Sequence, residues 1–124
     1  MNTNKFPTLG DGEQGPQTIA IEITHPIANI RTLVEFDTKT NNFLVRVYEI
    51  RFDPFCNLTL EKYEFSIYDI TGVDVATDTS AKPQINVVLE LHDKTLVIPT
   101  NSTGTALYAM AWFEMILILK GIKL

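Results

Sequence analysis

Residues 102–120 have the length and composition of one helix, but this helix lacks the polar face that surface helices keep. Between residues 106 and 119 the only charged residue is Glu114. A helix that is apolar on all sides must be buried on more than one side or lie in lipid. Because a chain of 124 residues has little other structure to surround a helix, this segment predicts a surface for self-association or for a partner.

The chain before this helix alternates between apolar and polar residues in short runs, which is typical of half-buried strands. The predicted strands are residues 18–24, 30–37, 42–52, 63–68, 73–75, 84–91 and 96–99, with one further short strand considered at 58–60. Because strands and helices do not alternate, a parallel doubly wound sheet is excluded. We expect a mainly β (α+β) fold of about seven antiparallel strands, curled into a barrel or a two-sheet sandwich, with one C-terminal helix.

The two ends of the chain bound this domain. Residues 1–16 are polar and rich in Gly and Pro, which predicts a flexible N-terminal tail before a single domain at 17–124. Ser102 or Thr103 is expected to cap the helix at its start, and Gly121 to end it. The tail carries no apolar stretch typical of a signal peptide, and a lone cysteine, Cys56, cannot form an intrachain disulfide. We therefore expect a cytoplasmic protein.

Charge narrows the classes of partner. The net charge of -5 weighs against nucleic acid, whose non-specific binding depends on Lys and Arg. It also weighs against docking on anionic membranes. The apolar stretch 106–119 spans about 21 Å as a helix, short of the roughly 30 Å of a bilayer core, so a tail anchor is disfavoured.

Candidate chemical groups form no recognisable site. His25 and His92 have no third metal ligand at suitable spacing, so we interpret both as surface histidines. Cys56 has no nearby base to activate it as a nucleophile. Three aspartates form an acidic run that lacks the alternating ligands of a calcium-binding EF-hand loop: Asp69, Asp74 and Asp78. We expect no catalytic, cofactor or metal site, and hence no enzyme.

Arg46 is the one charge inside a predicted strand that needs an explanation. It shares a face with Leu44 and Tyr48. If that face is the core, Arg46 requires a partner, because an unpaired buried charge is costly, and Glu114 is one candidate. The alternative is that Arg46 faces water on an edge strand.

At about 100° per residue, the helix divides into two apolar faces. The face expected to pack on the barrel comprises Tyr108, Trp112, Met115, Ile116 and Leu119. The face expected to bind a second copy of the chain or another protein comprises Leu107, Met110, Glu114, Leu117 and Ile118. We expect a homo-oligomer. The alternatives are a carrier of a small apolar ligand and a peripheral or tail-anchored membrane protein.

Two segments resemble bacterial pleckstrin-homology-like domains. Residues 62–73 (KYEFSIYDITGV) are similar to that family's y-x-i-p-x-x-x-I-x-x-V segment, and residues 36–45 (FDTKTNNFLV) to its opening hairpin. The family then has two strands joined at a tight turn, here Asp93-Lys94, and a closing helix. The resemblance covers about residues 30–120. It implies a curled barrel plugged by the helix, but no particular activity.

One departure from that family bears on lipid binding. Its phosphoinositide-binding members use a cluster of Lys and Arg in the first hairpin loop. The two candidate loops here, residues 24–29 and 37–42, contain a single lysine, Lys39. This weighs against phosphoinositide binding.

Overall fold

The computed structural model describes residues 17–25, 28–50, 58–77, 85–100 and 102–124. This part of the chain contains seven strands and one α-helix, so the mainly β fold predicted from the sequence is confirmed. The elements are β1 (Thr18–His25), β2 (Ile30–Asp37), β3 (Asn42–Glu49), β4 (Leu58–Ser66), β5 (Ile70–Thr77), β6 (Ile85–Leu91), β7 (Thr95–Thr100) and α1 (Thr103–Leu119).

Within these described residues, the strands form two antiparallel sheets that do not close into a barrel. One sheet has the order β1-β2-β3-β4 and the other β5-β6-β7. A short 3-10 helix, Ile67–Asp69, joins them and is held at its start by a reciprocal cap. The Ser66 side chain accepts a bond from the Tyr68 N–H, while the Asp69 carboxylate accepts one from the Ser66 N–H at 3.1 Å. Of the two predicted arrangements, the structure adopts the two-sheet sandwich.

The hairpin of β2 and β3 is the clearest case of local sequence determining structure. Asp37 accepts hydrogen bonds from the backbone N–H groups of Lys39 at 2.9 Å and Thr40 at 3.3 Å. Asn41 has a φ of 61°, a left-handed conformation that asparagine tolerates. The turn thus sets a register in which Asp37 lies opposite Asn42.

β4 is one continuous strand, so the prediction of separate strands at 58–60 and 63–68 is wrong. β4 lies at the edge of its sheet, and its residues from Leu58 to Lys62 are all exposed. Neither face of this half is buried, and the alternation that begins at Leu58 breaks where two charged residues, Glu61 and Lys62, follow one another. Cys56, Asp78 and the tail predicted at residues 1–16 lie outside the described residues.

Both sheets and the helix contribute to one buried core. An aromatic cluster lies at its centre, where the ring of Phe43 is 4.6 Å from that of Phe36 and 5.3 Å from that of Phe65. Phe113 reaches the same ring from the helix at 5.7 Å. The helix is thereby packed against both sheets.

Both ends of α1 are fixed by specific contacts. Ser102 is the N-cap, and its hydroxyl accepts a bond from the Thr105 N–H at 3.1 Å. At the other end Gly121 has a φ of 74°, as expected of a residue that ends a helix. The Lys120 ammonium donates to the Thr38 carbonyl oxygen at 2.8 Å. The last turn is therefore tied to the β2–β3 turn.

The two histidines differ in burial. His92 is exposed, as predicted, with Nε2 lying 3.2 Å from the Tyr68 carbonyl oxygen. The prediction of a surface position for His25 is wrong, since it is only 6% exposed. His25 continues the inward alternation of Ile21 and Ile23, and its Nδ1 accepts a bond from the Ala28 N–H at 3.2 Å.

Candidate partner surface on the C-terminal helix

One side of α1 is buried in the core. Its buried residues are Ala106, Ala109, Trp112, Phe113, Ile116 and Leu117. This side packs mainly against β5 and β6, with further contacts to β1 and β7. Two alanines in the first half allow the helix backbone to approach the sheets closely, and the aromatic pair fills the space in the second half.

The two faces predicted for the helix are therefore wrong in part. Of the predicted core face, Trp112 and Ile116 are buried, but three residues are exposed: Tyr108 at 67%, Met115 at 45% and Leu119 at 57%. Of the predicted partner face, Leu107, Glu114 and Ile118 are exposed, Met110 is half-buried and Leu117 is buried at 2% exposure. A uniformly apolar helix carries no polar stripe to show which side turns inward.

We define the outward face as the exposed apolar residues of the helix. They are Leu107, Tyr108, Ala111, Met115, Ile118 and Leu119. At 100° per residue they cover about 120° of arc. Glu114 lies at one rim of this arc and is the only charged residue between residues 106 and 119.

The outward face is large for an exposed apolar patch. Its five large side chains are between 45% and 74% exposed. They lie side by side on one face of one helix and so form a contiguous apolar patch, a feature that is uncommon on monomers once it exceeds a few hundred Å². Patches of this size often mark interaction sites.

The outward face is also uneven in relief. A depression of about 360 Å³ is lined by Ala111, Glu114, Met115, Ile118 and Leu119. Ala111 is the smallest of these side chains, and larger ones lie on either side along the helix. The surface thus offers both a recess and projecting groups.

The outer face of the four-stranded sheet has a different character. Arg46 lies opposite Leu33 in the register and pairs with Glu35, so the candidate Glu114 is not its partner. The Arg46 side chain is 33% exposed. The alternative, that Arg46 faces water on an edge strand, is also wrong. β3 is an inner strand, and Arg46 lies on the outer face of the sheet. The sequence could not identify Glu35 as the partner of Arg46, because the pairing register of β2 and β3 was unknown.

Other contacts on this sheet are also polar. The Arg31 guanidinium lies 5.2 Å from the centre of the Tyr48 ring, and the Lys62 ammonium 3.6 Å from a Glu64 carboxylate oxygen. Beside it, the Tyr63 hydroxyl donates a hydrogen bond to Glu61. This bond, followed by desolvation and the charge of Glu61, raises the pKa of Tyr63 above its ordinary value of 10.0.

Two further features concern the described residues, a metal-sized cluster of side chains and a membrane-spanning helix. No three His, Cys, Asp or Glu side chains of that part of the chain converge on a metal-sized site. The Asp69 carboxylate instead caps the 3-10 helix. Within the same residues, no helix combines the length and apolarity needed to cross a bilayer.

No protein-family model, curated protein or solved structure matches this chain. Its function is therefore inferred from its own surfaces, of which the outward face is the most distinctive.

Proposed function

We propose that this protein is a non-enzymatic cytoplasmic assembly module that binds a second copy of itself through the outward face of α1. The supporting observation is that five large apolar side chains lie side by side on the solvent side of one helix. The exposed fractions, from 45% to 74%, leave much of each side chain for a partner to cover.

The composition of the outward face favours a second copy over a charged partner. Glu114 lies at its rim, and the residues at its centre are apolar. An interface core depleted of charge and rich in aliphatic and aromatic groups is typical of homodimers. In a twofold dimer the same patch is used by both copies, so an uncharged patch meets no like charge at its centre.

The rival functions have less support. A carrier of an apolar ligand needs room inside the fold, and the aromatic cluster around Phe43 occupies the centre of the core. A peripheral membrane protein gains from basic residues beside its apolar face. Here the rim residue is the acidic Glu114, and the Lys120 ammonium is bonded to the Thr38 carbonyl.

We include the pleckstrin-homology-like assignment in the proposal. It is supported by the order of the elements, four strands in one sheet, three in the next and a closing helix. In such a domain the helix plugs one end of the curled sheets, and here α1 packs on both sheets with one side and exposes the other. The outward face therefore carries the proposed function whichever family the chain belongs to.

Sedimentation velocity over a range of concentrations tests the proposal. Wild type is expected to form a dimer, and Ile118→Asp and Leu107→Asp are expected to sediment as monomers, because each places a charge in the apolar interface. Val97→Asp is the matched control, since Val97 is 51% exposed and lies on the side of β7 opposite its buried residues Leu96 and Ile98. A wild type that stays monomeric, or dimers that survive both helix substitutions, would overturn the proposal.

A further inference from the structure

The described chain starts beside the last turn of α1. Gln17, its first residue, accepts a hydrogen bond at its carbonyl oxygen from the Thr38 N–H at 2.6 Å. The carbonyl oxygen of the same Thr38 accepts a bond from the Lys120 ammonium at 2.8 Å. One turn residue therefore connects the point where residues 1–16 join the domain with the end of the helix.

We propose that residues 1–16, the tail, fold back over the outward face of α1 and compete there with the second copy of the chain. The contact between tail and helix stands on its own, whereas the competition rests on the proposed self-association. The proposal adds a means of regulating assembly, which the exposed apolar side chains by themselves do not provide.

The tail is long enough to reach the depression on the outward face. A chain that starts at Lys120 passes about 16–19 Å half-way round a helix 10–12 Å wide, and then about 7 Å back along it. Phe6 lies eleven residues before Gln17, a span of up to about 36 Å when extended. Phe6 therefore reaches the depression, and Leu9 reaches its nearer edge at Leu119.

The apolar residues of the tail suit this depression. Its volume is about 360 Å³, and all of its lining side chains except Glu114 are apolar. Between Lys5 and Asp11 the tail carries no charge, and this uncharged stretch contains both Phe6 and Leu9. Placing these two side chains on the outward face removes apolar surface from water on both partners, which favours the contact.

Charged residues follow a complementary order in the tail and along the helix. Asp11 and Glu13 lie nearest to the start of the domain, and the exposed Lys123 follows the end of α1. Lys5 lies beyond the apolar pair, and Glu114 lies further from the end of the helix than most of the depression. A tail that runs from the end of the helix towards its start therefore brings opposite charges together at both places, which favours this direction.

The tail and a second copy require the same surface, so each excludes the other. Association requires that both copies be uncovered, and the apparent dissociation constant therefore rises with the inverse square of the uncovered fraction. A tail that covers the outward face in about two-thirds of the copies weakens the dimer about tenfold. The tail thus acts as an autoinhibitory segment.

Disulfide trapping in the full chain, at concentrations where it is monomeric, tests the contact. In a Cys56→Ser background, Thr8→Cys is combined with Met115→Cys, whose position lines the depression. Mild oxidation should join the two cysteines within one chain. Thr8→Cys with Val97→Cys is the matched control, since Val97 is 51% exposed and Met115 is 45% exposed. Equal yields in the two proteins, or disulfides only between chains, would overturn the contact between tail and helix.

A charge swap in the same assay tests the direction of the tail. Lys5→Glu should lower the yield of the disulfide to Met115→Cys, and more at low salt than at high salt. Adding Glu114→Lys restores opposite charges and should restore the yield. If the yield stays low, Lys5 and Glu114 do not meet and the proposed direction is wrong.

Sedimentation velocity separates the competition from the proposed function. Phe6→Ser with Leu9→Ser is expected to tighten the dimer about tenfold. Asn2→Ser with Asn4→Ser, two polar substitutions in the same tail, is the control and should leave the dissociation constant unchanged. If the apolar variant dimerises no more tightly than wild type, the competition is overturned and assembly through the outward face stands. If no protein forms a dimer, the proposed function fails and the competition with it, whereas the disulfide yields still decide the contact.

Discussion

The outward face of α1 and the outer face of the four-stranded sheet both meet solvent, but they differ in what they present to it. On the sheet, Arg46 pairs with Glu35, and Arg31 lies over the Tyr48 ring. On the helix, Ile118 is 74% exposed and its outward neighbours are apolar as well. Water suits the first surface and not the second. The difference identifies the helix as the side of the fold that gains most from being covered.

The largest effect is expected from two adjacent aliphatic residues of α1, one buried and one exposed. Leu117 is 2% exposed and Ile118 is 74% exposed. We expect Leu117→Asp to lower the free energy of unfolding by more than about 4 kcal/mol, because it buries an unpaired charge. Ile118→Asp should change it by less than about 0.5 kcal/mol. Urea unfolding at concentrations where all proteins are monomeric makes the measurement. Similar losses in both variants would mean that the outward face is not a true surface of the monomer.

A smaller effect is expected where the helix begins. Ser102→Ala removes the hydroxyl that accepts from the Thr105 N–H, and should cost about 1 kcal/mol in thermal or urea unfolding. Thr103→Ala is the matched control, since Thr103 is the first helical residue and Ser102 is the cap. A larger loss of stability for Thr103→Ala than for Ser102→Ala would mean that Ser102 is not the N-cap.

The charged surface should respond less than the helix does. Glu35→Gln breaks the pair with Arg46, and we expect a loss of at most about 1 kcal/mol that shrinks as salt is added. Glu22→Gln removes a carboxylate from the exposed side of β1 in the same sheet and should have no measurable effect. A loss that salt leaves unchanged would show that packing, and not charge, is the main contribution of Glu35.

The smallest expected effect concerns the pH dependence of Tyr63. Its pKa is raised chiefly by the hydrogen bond to Glu61. A raised folded-state pKa means that this contact contributes stability below the ordinary value of 10.0 and loses it as pH rises through the folded pKa. In Glu61→Gln the Tyr63 ring resonances should titrate at lower pH than in wild type. Glu64→Gln, which alters the partner of Lys62, is the control and should leave the titration in place.

The strands could be predicted where one side of a strand is buried and the other is not. β2 occupies the predicted residues, Ile30–Asp37, because its inward residues Thr32, Val34 and Phe36 alternate with half-buried ones. The same alternation places His25 inward, after Ile21 and Ile23. The prediction of a surface position rested on its polar side chain instead. β4 could not be bounded in this way, since its first half is exposed on both sides.

The sequence could predict that the candidate partner surface lies on α1, but it could not predict which residues of α1 form that surface. The absence of a polar stripe indicated that α1 would expose apolar side chains, and Leu107 and Ile118 are exposed. The orientation of the helix depends on which side allows the closest approach to the sheets, and small residues such as Ala106 and Ala109 determine that side. The prediction assumed instead that the largest side chains face the core, which is why it placed Tyr108 in the core and Leu117 outside.

The bond from Lys120 to the Thr38 carbonyl has a consequence for how tightly such a surface can bind. With Ser102 fixing the first turn and Lys120 the last, α1 is held at both ends. A partner then meets side chains on a backbone that is already ordered. Little backbone conformational entropy remains to be lost on association, so more of the favourable free energy from covering the outward face appears as affinity.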